Sequence, residues 1–591
     1  ILTVPNVARV ATAGEREEAI YIEIPNERLT TLGIPVDHVI NTSQTENQVT
    51  DAGSLRIGDD HVRLVLRAGV DSVANIEAIR IGRPGTTEQI SLLDVAEVTR
   101  QPMEVPNHLI RHNGEPAFTL AVAGVSEANI VEVGEAVERH LEALSERIPL
   151  GVELAPIYEQ HRVVDEAIND FLVNLAMSVA IVIGVLCLFM GWRVGMVVGA
   201  TLLLTVLGTL FFMWIFDIEM ERVSLGALII AMGMLVDNAI VVAEGMLINL
   251  QRGKGVKEAA SEAAGRTQIP LLGATVIGIL AFSGIGLSDD VTGEFLFSLF
   301  AVIAISLLLS WVLAITVTPL FGYYLFRNAQ LESDKDPHGG RIYRIYGRLL
   351  SLTLRWRALT VGTLVGITAA CVWGFGFLSQ SFFPDSNTPV FYVNYELPQG
   401  SDIRATQRDA EAIETYLLEK EGVESVSTFI GRGATRFMLT YVPEQPDPAY
   451  AQLIVRADSL ARIDELAPEI YAELQTEFPD ARVRTERLQF GPGAGAQVEA
   501  RFQGNDPAVL RELGNRAMGI LRSEPALIDV RHDWRERETI VVPRFNEQRA
   551  RIAGVSRDEV AQTLQFAASG VRAGTYREGD HLIPISARPP L

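Results

Sequence analysis

Hydrophobic and polar positions along this chain fall into two regimes. From residue 171 to 384, long uncharged runs dominate: Phe171 to Trp192 and Val194 to Phe216 carry no charge, Val223 to Ala243 carries only Asp237, and Ile269 to Ser288, Phe295 to Phe326 and Ala358 to Pro384 are uncharged throughout. About 20 such residues in a helix cross a bilayer core of about 30 Å, so six membrane spans are predicted. Outside that stretch the pattern shortens into strands and helices. Pro116 to Val122 precedes a helical pattern over Ile130 to Arg147; Val390 to Leu397 precedes Ile403 to Lys420 and then a short strand over Thr440 to Val442. Strand and helix alternating in this way fit split βαβ subdomains.

Loop charge orients the spans. With alternating sides, the turn at Arg193 and the loops at 251–268 and 327–357 share one face and hold twelve Lys/Arg; the opposite loops hold Arg222 alone among acidic residues. The basic face is therefore read as cytoplasmic, and both large polar regions as extracytoplasmic. Arg341 to Leu350 alternates basic and apolar positions at helical spacing, as a helix on the cytoplasmic membrane surface or a solvated linker helix would.

An internal repeat organises the polar regions. Ile24 to Val39 recurs as Phe545 to Val560, and Gly53-Ser-Leu-Arg-Ile-Gly-Asp59 returns as Gly574-Thr-Tyr-Arg-Glu-Gly-Asp580, both displaced by 521 residues. Each copy is predicted to open with a strand (Ala19 to Ile24; Thr539 to Val542), followed by a short helix begun at Pro35-Val-Asp37 or Ser556-Arg-Asp558 and a glycine turn. One set of spans between two such copies implies a duplicated parent with about twelve spans. The chain, opening at Ile1 without Met and closing on Pro590-Leu591, is read as a piece of that parent.

Composition narrows the function classes. The 591 residues have mean hydropathy +0.21 and a formal charge of −23, which disfavours nucleic acid as a partner. Cys187 and Cys371 both lie in apolar runs, so no disulfide framework or cysteine metal site is available. The glycines of Leu488 to Gly495 lack the Gly-Lys-Ser/Thr of a phosphate cradle and read as a turn, and no cofactor is expected.

Asp237 is the residue that carries chemistry. At the midpoint of Val223 to Asn249 it places a carboxylate at mid-membrane depth, at a cost of about 2.5 to 3.5 kcal/mol on insertion scales, which makes it a functional candidate. A group there can load and release a proton as its surroundings change. Gly233, one turn earlier, would let a partner helix approach; Asn238 adds donors and an acceptor, and Glu244, two turns on, is a candidate exit. An Asp that only pins helices together, and a Glu244 that only reaches the interface, remain open.

Gly233-Met-Leu-Val-Asp-Asn-Ala-Ile-Val-Val-Ala-Glu244 resembles the fourth-helix signature of resistance-nodulation-division (RND) efflux pumps, with support from Leu93-Asp-Val-Ala-Glu-Val98, Asn113-Gly114, Thr318-Pro319, Phe383-Pro-Asp385 and the repeat. The resemblance implies an α-helical transmembrane bundle with six of about twelve spans present, and α+β periplasmic subdomains of two kinds. Residues 1–16 and 107–167 are a partial porter subdomain, 17–106 the first docking repeat, 168–328 five spans, 329–357 the cytoplasmic loop with its amphipathic helix, 358–384 the sixth span, 385–537 porter subdomains and 538–591 a truncated second docking repeat. It further implies a homotrimer of the bacterial inner membrane, driven by proton influx. Such a pump exports small amphiphilic or hydrophobic compounds through a periplasmic adaptor and an outer-membrane channel. Asp237, Asn238 and Glu244 would form the proton relay, completed by a lysine and a threonine on later helices.

Many drug pumps carry two adjacent aspartates where this chain has Asp237 and Asn238, so the proton number per cycle stays open. The substrate is less determined. Met103, Met438 and Met518 are scattered, which disfavours soft-metal export, and no metal site is assigned, although His108 and His112 would share one strand face. Phe118, Phe391, Tyr392 and Phe437 could line an apolar pocket or simply form core. A lipid or soft-metal exporter of the same fold, and a non-transporting membrane scaffold or translocation auxiliary, are the alternatives.

Overall fold

The computed structural model describes residues 1–47, 51–65, 72–82, 86–126, 128–326, 341–378, 385–438, 441–489 and 498–590. The chain divides into two compact units: Ile1–Arg9 with Ala123–Asp385 and Gln489–Gly495, and Val10–Val122 with Ser386–Leu488 and Ala496–Leu591.

Among the described residues, the first unit holds six helices long and apolar enough to cross a membrane: Gln160–Met190, Trp192–Ile215, Arg222–Gln251, Val256–Gly286, Thr292–Phe326 and Arg357–Phe375. Several outrun the apolar stretches that reveal them. The basic segment read as a loop over 251–268 is mostly helix, because the fourth span starts at Val256 and its charged first turns need water rather than a break in the backbone. The third span is the most enclosed, with Ala227, Ala231, Ala239 and Ala243 at most 1% exposed. Small side chains let helices approach closely. A Cβ added at Gly245 would sit 3.4 Å from Ala263, and one at Gly322 would meet Met246 at 2.7 Å. By contrast, the sixth span Arg357–Phe375 buries no residue. The helix before it, Arg341–Arg355, exposes Ile345, Leu349, Leu352 and Leu354.

The second unit is built on a six-stranded antiparallel sheet in the order Arg482–Arg487, Val390–Glu396, Tyr450–Ala457, Val423–Ile430, Leu109–His112, Glu115–Ala117. Helices Ile403–Leu418 and Leu460–Glu477 complete a β-α-β-β-α-β order, the split βαβ arrangement. Asp402 starts the first helix by accepting from the Arg404 N–H at 2.8 Å. The core beneath includes Phe391, Tyr395, Ile413, Leu453 and Leu466.

The expected strand over Thr440 to Val442 is not found: Thr440 lies outside the described residues, while Tyr441 and Val442 belong to a connection. The strands that take its place, Val423–Ile430 and Tyr450–Ala457, pair from Val423 to Ile430. That connection is held by side chains instead, with Tyr441 donating to Gln452 Oε1 at 2.7 Å. Most of the glycine run Leu488 to Gly495 also lies outside the described residues.

The repeat is visible in three dimensions. Asn26–Leu32, a left-handed Gly33 (φ 66°) and Val36–Asn47 match Glu547–Ala553, a left-handed Gly554 (φ 70°) and Arg557–Ala568. Both turns need a residue free of the Cβ clash at positive φ. Each copy then forms a hairpin, Asp51–Ile57 with Asp60–Val65 and Val571–Glu578 with His581–Arg588. The second hairpin joins the first copy: His581–Arg588 pairs in parallel with Glu18–Glu23, which pairs antiparallel with Glu97–Pro102. The predicted strand Thr539 to Val542 forms no ladder, and Ile540, Val541 and Val542 are exposed.

Candidate functional site

The third span places Asp237 near its middle, and the helix turn sorts its neighbours onto two faces. One stripe, Ile230, Gly233, Asp237, Val241, Glu244 and Ile248, is exposed. Asp237 and Glu244 therefore look the same way, two turns apart. Gly233 lies on that stripe too, and a Cβ built on it meets nothing within 4 Å. The room for a close neighbour exists, and no described residue fills it.

Asn238 faces the other way. It is 6% exposed, and its Nδ2 lies 3.4 Å from both Thr275 Oγ1 on the fourth span and Ser310 Oγ on the fifth. Ser310 in turn donates to the Leu235 carbonyl at 2.7 Å. The structure thus does not bring Asn238 together with Asp237 and Glu244; it assigns the amide to the bundle interior. Thr275 and Ser310 are site residues that charge-based reading passes over, since uncharged hydroxyls leave an apolar run unbroken. A second hydroxyl pair, Thr201 Oγ1 and Thr318 Oγ1 at 3.1 Å, links the second and fifth spans.

In the second unit, the histidines of the possible metal pair are separately engaged. His108 Nε2 accepts from the Gly14 N–H at 2.8 Å, and His112 Nδ1 lies 2.9 Å from Ser427 Oγ. Burial lowers both imidazole pKa values, with Arg432 adding to the effect at His108 and Glu17 opposing it. Among the described residues no group of three or more His, Cys, Asp or Glu is placed to hold a metal ion. Asn113 (φ 49°) and Gly114 (φ 86°) form the tight two-residue turn after the strand.

The aromatic candidates separate. Phe391 is fully buried core, Phe118 is 53% exposed, and Tyr392 and Phe437 both meet Tyr441, at 5.8 and 4.7 Å between ring centroids. Beside the Tyr392 face runs a buried polar network: Asn394 Oδ1 accepts from Tyr450 at 2.7 Å and Gln452 at 3.0 Å, and Arg484, 6% exposed, reaches Glu396 and Glu486. Near it a cleft of about 550 Å³ is lined by Glu396, Leu397, Tyr471, Arg482, Asp529 and Arg535, among others. Burial raises the Asp529 carboxyl above its usual range against the pull of Arg531 and Arg484.

Comparison with known proteins bears on what these features share. A family described as "AcrB/AcrD/AcrF family" matches residues 1–589. The chain is similar to "Multidrug resistance protein MdtC" of Serratia proteamaculans (strain 568), 25% identical over 544 residues, covering 90% of this chain and 52% of that protein. It is also similar to the proteins of the same name from Enterobacter sp. (strain 638), 23% identical over 546 residues, and Escherichia coli O139:H28 (strain E24377A / ETEC), 22% identical over 546 residues, each covering 91% of this chain and 52% of the relative. The chain spans about half the length of the curated relatives it matches. With a match running nearly end to end, the chain belongs to the AcrB/AcrD/AcrF family of RND transporters.

Proposed function

We propose that this chain forms part of a proton-driven exporter of hydrophobic or amphiphilic compounds, a homotrimeric inner-membrane pump working with a periplasmic adaptor and an outer-membrane channel. The observation that carries the reading is the exposed third-span stripe with Asp237 at mid-helix and Glu244 two turns on. A carboxylate that deep is retained for a function and needs a partner or a water path, and an open stripe offers both. In this reading the lysine- and threonine-bearing helices that the family places later in its chains cover the stripe, and Asp237 alternates between paired and protonated states. The names of the relatives, multidrug resistance proteins, favour amphiphilic drugs over metals as cargo. Glu244 serves as the cytoplasmic exit. The first unit supplies the coupling; the split βαβ part of the second handles substrate, and its repeat-bearing part docks the adaptor and channel.

The test is Asp237→Asn in the whole transporter, expressed in a host stripped of its own pumps. Drug susceptibility should equal that of the pumpless host, with unchanged protein level and trimer assembly. Full resistance would refute the reading.

A further inference from the structure

Successive residues of an α-helix point about 100° apart, so whatever fixes the azimuth of one residue fixes that of the next. Asn238 is fixed: it is 6% exposed, its amide nitrogen lies 3.4 Å from Thr275 Oγ1 and from Ser310 Oγ, and Ser310 closes the contact by donating to Leu235 O, one turn before Asn238 itself. Ser310 is 1% exposed and Thr275 5%, so water does not compete at this node. Three spans meet at one amide. Asp237, held on the same turn, is left on the stripe that no described residue covers.

The hydrogen inventory explains the choice of an amide. Ser310 spends its proton on Leu235 O, so its oxygen can only accept from Asn238. The two N–H groups of an asparagine amide supply one bond to Ser310 and one to Thr275; an ionised aspartate supplies none, and would set two acceptors against each other in a dry site.

We infer that Asn238, with Thr275 and Ser310, is a positioning residue for Asp237: a neutral three-helix node that sets the rotation of the third span and so the angle at which the carboxyl meets its partner, without itself taking up a proton. The inference rests on Asp237 being the proton carrier.

The experiment measures drug efflux by the whole transporter against external pH, at matched protein level, for Asn238→Ala, Ser310→Ala, their combination, Asp237→Asn and Thr201→Ala. Asn238→Ala and Ser310→Ala should each move the pH of half-maximal efflux by about half a pH unit, roughly a threefold change in proton affinity, and in the same direction. The combination should move it no further than either alone. Thr201→Ala removes a hydroxyl pair between the second and fifth spans and should leave the midpoint where it was. An unmoved midpoint in Ser310→Ala, an additive double variant, or an equal shift from Thr201→Ala overturns the node. Should Asn238→Ala fail to assemble, the smaller change Ser310→Ala decides the question in the same way. Active efflux in Asp237→Asn refutes the carrier itself, and the inference with it; loss there with an unmoved midpoint in Asn238→Ala and Ser310→Ala refutes the positioning alone.

Discussion

Buried polar groups are handled differently in the two units. In the second, the carboxylate of Glu414 is 1% exposed yet fully answered: it accepts from Arg111 Nε at 2.7 Å and from the Gly114 N–H at 3.1 Å, and Arg111 also meets Glu411 at 3.1 Å. Arg484, likewise buried, is ringed by Glu396 and Glu486. In the first unit, the interior node of the five-span bundle is neutral, Asn238 with hydroxyls, while the carboxylates Asp237 and Glu244 stay on the exposed stripe. A charge paired at the moment of folding is structure; one kept at an open surface of a membrane helix can change partners. The difference separates groups that hold the molecule together from groups that can work.

Exchanging the charges breaks the comparison most sharply at Asp237. Asp237→Asn should abolish export, a loss of at least about a hundredfold in drug protection if proton transfer at this group supplies the usual general acid–base share, while thermal unfolding of the purified protein stays within error. A large loss of stability would make Asp237 a structural group like Glu414. The converse holds at Glu414. Glu414→Ala leaves Arg111 with Glu411 as its remaining carboxylate and the Gly114 N–H without its acceptor, and should cost about 3 kcal/mol, the low end of the range for breaking a buried pair; chemical denaturation reads this out. If stability is unchanged, the buried Glu414 carboxylate is not a structural group and the contrast fails.

A smaller effect sharpens the picture at His108. Only a neutral imidazole accepts from the Gly14 N–H, and burial lowers the His108 pKa. For a depressed basic group, the stabilising contact is complete above the ordinary histidine value of about 6.5 and is lost as pH falls through the lower folded value. Hydrogen exchange at the Gly14 amide, corrected for intrinsic pH dependence, should therefore accelerate only below about pH 6.5. Acceleration on raising the pH instead would mean that a neutral His108 ring is not what protects the Gly14 N–H.

Much of this was legible in residues taken one at a time. Six apolar runs announce six spans, since length and lack of charge are properties of a segment and need no knowledge of neighbours. The repeat reads as two equal units because the helix starts at Asp37 and Asp558 and the turns at Gly53 and Gly574 share one offset; the preceding helices Asn26–Leu32 and Glu547–Ala553 and the left-handed Gly33 and Gly554 come from the structure. Where expectation and structure part, the cause lies outside the segment itself. Thr539 to Val542 has strand composition, but a ladder needs a second strand, and none is present among the described residues. Tyr441 looks like the middle of a strand and is instead held by its hydroxyl to Gln452.

The same division applies to the site. Depth along the membrane normal follows from counting residues, so Asp237 could be placed at mid-membrane from the sequence, and its two-turn spacing to Glu244 predicts a shared face. Azimuth does not follow from counting. That Asn238 turns inward to Thr275 and Ser310, 37 and 72 residues away, depends on which helices pack against which side. So does the parallel pairing of His581–Arg588 with Glu18–Glu23 across most of the chain. One-dimensional pattern determines what each segment is and how deep it sits; only three-dimensional packing decides which way a residue faces, because the free energy that selects a face lies in contacts between segments and not in the segment itself.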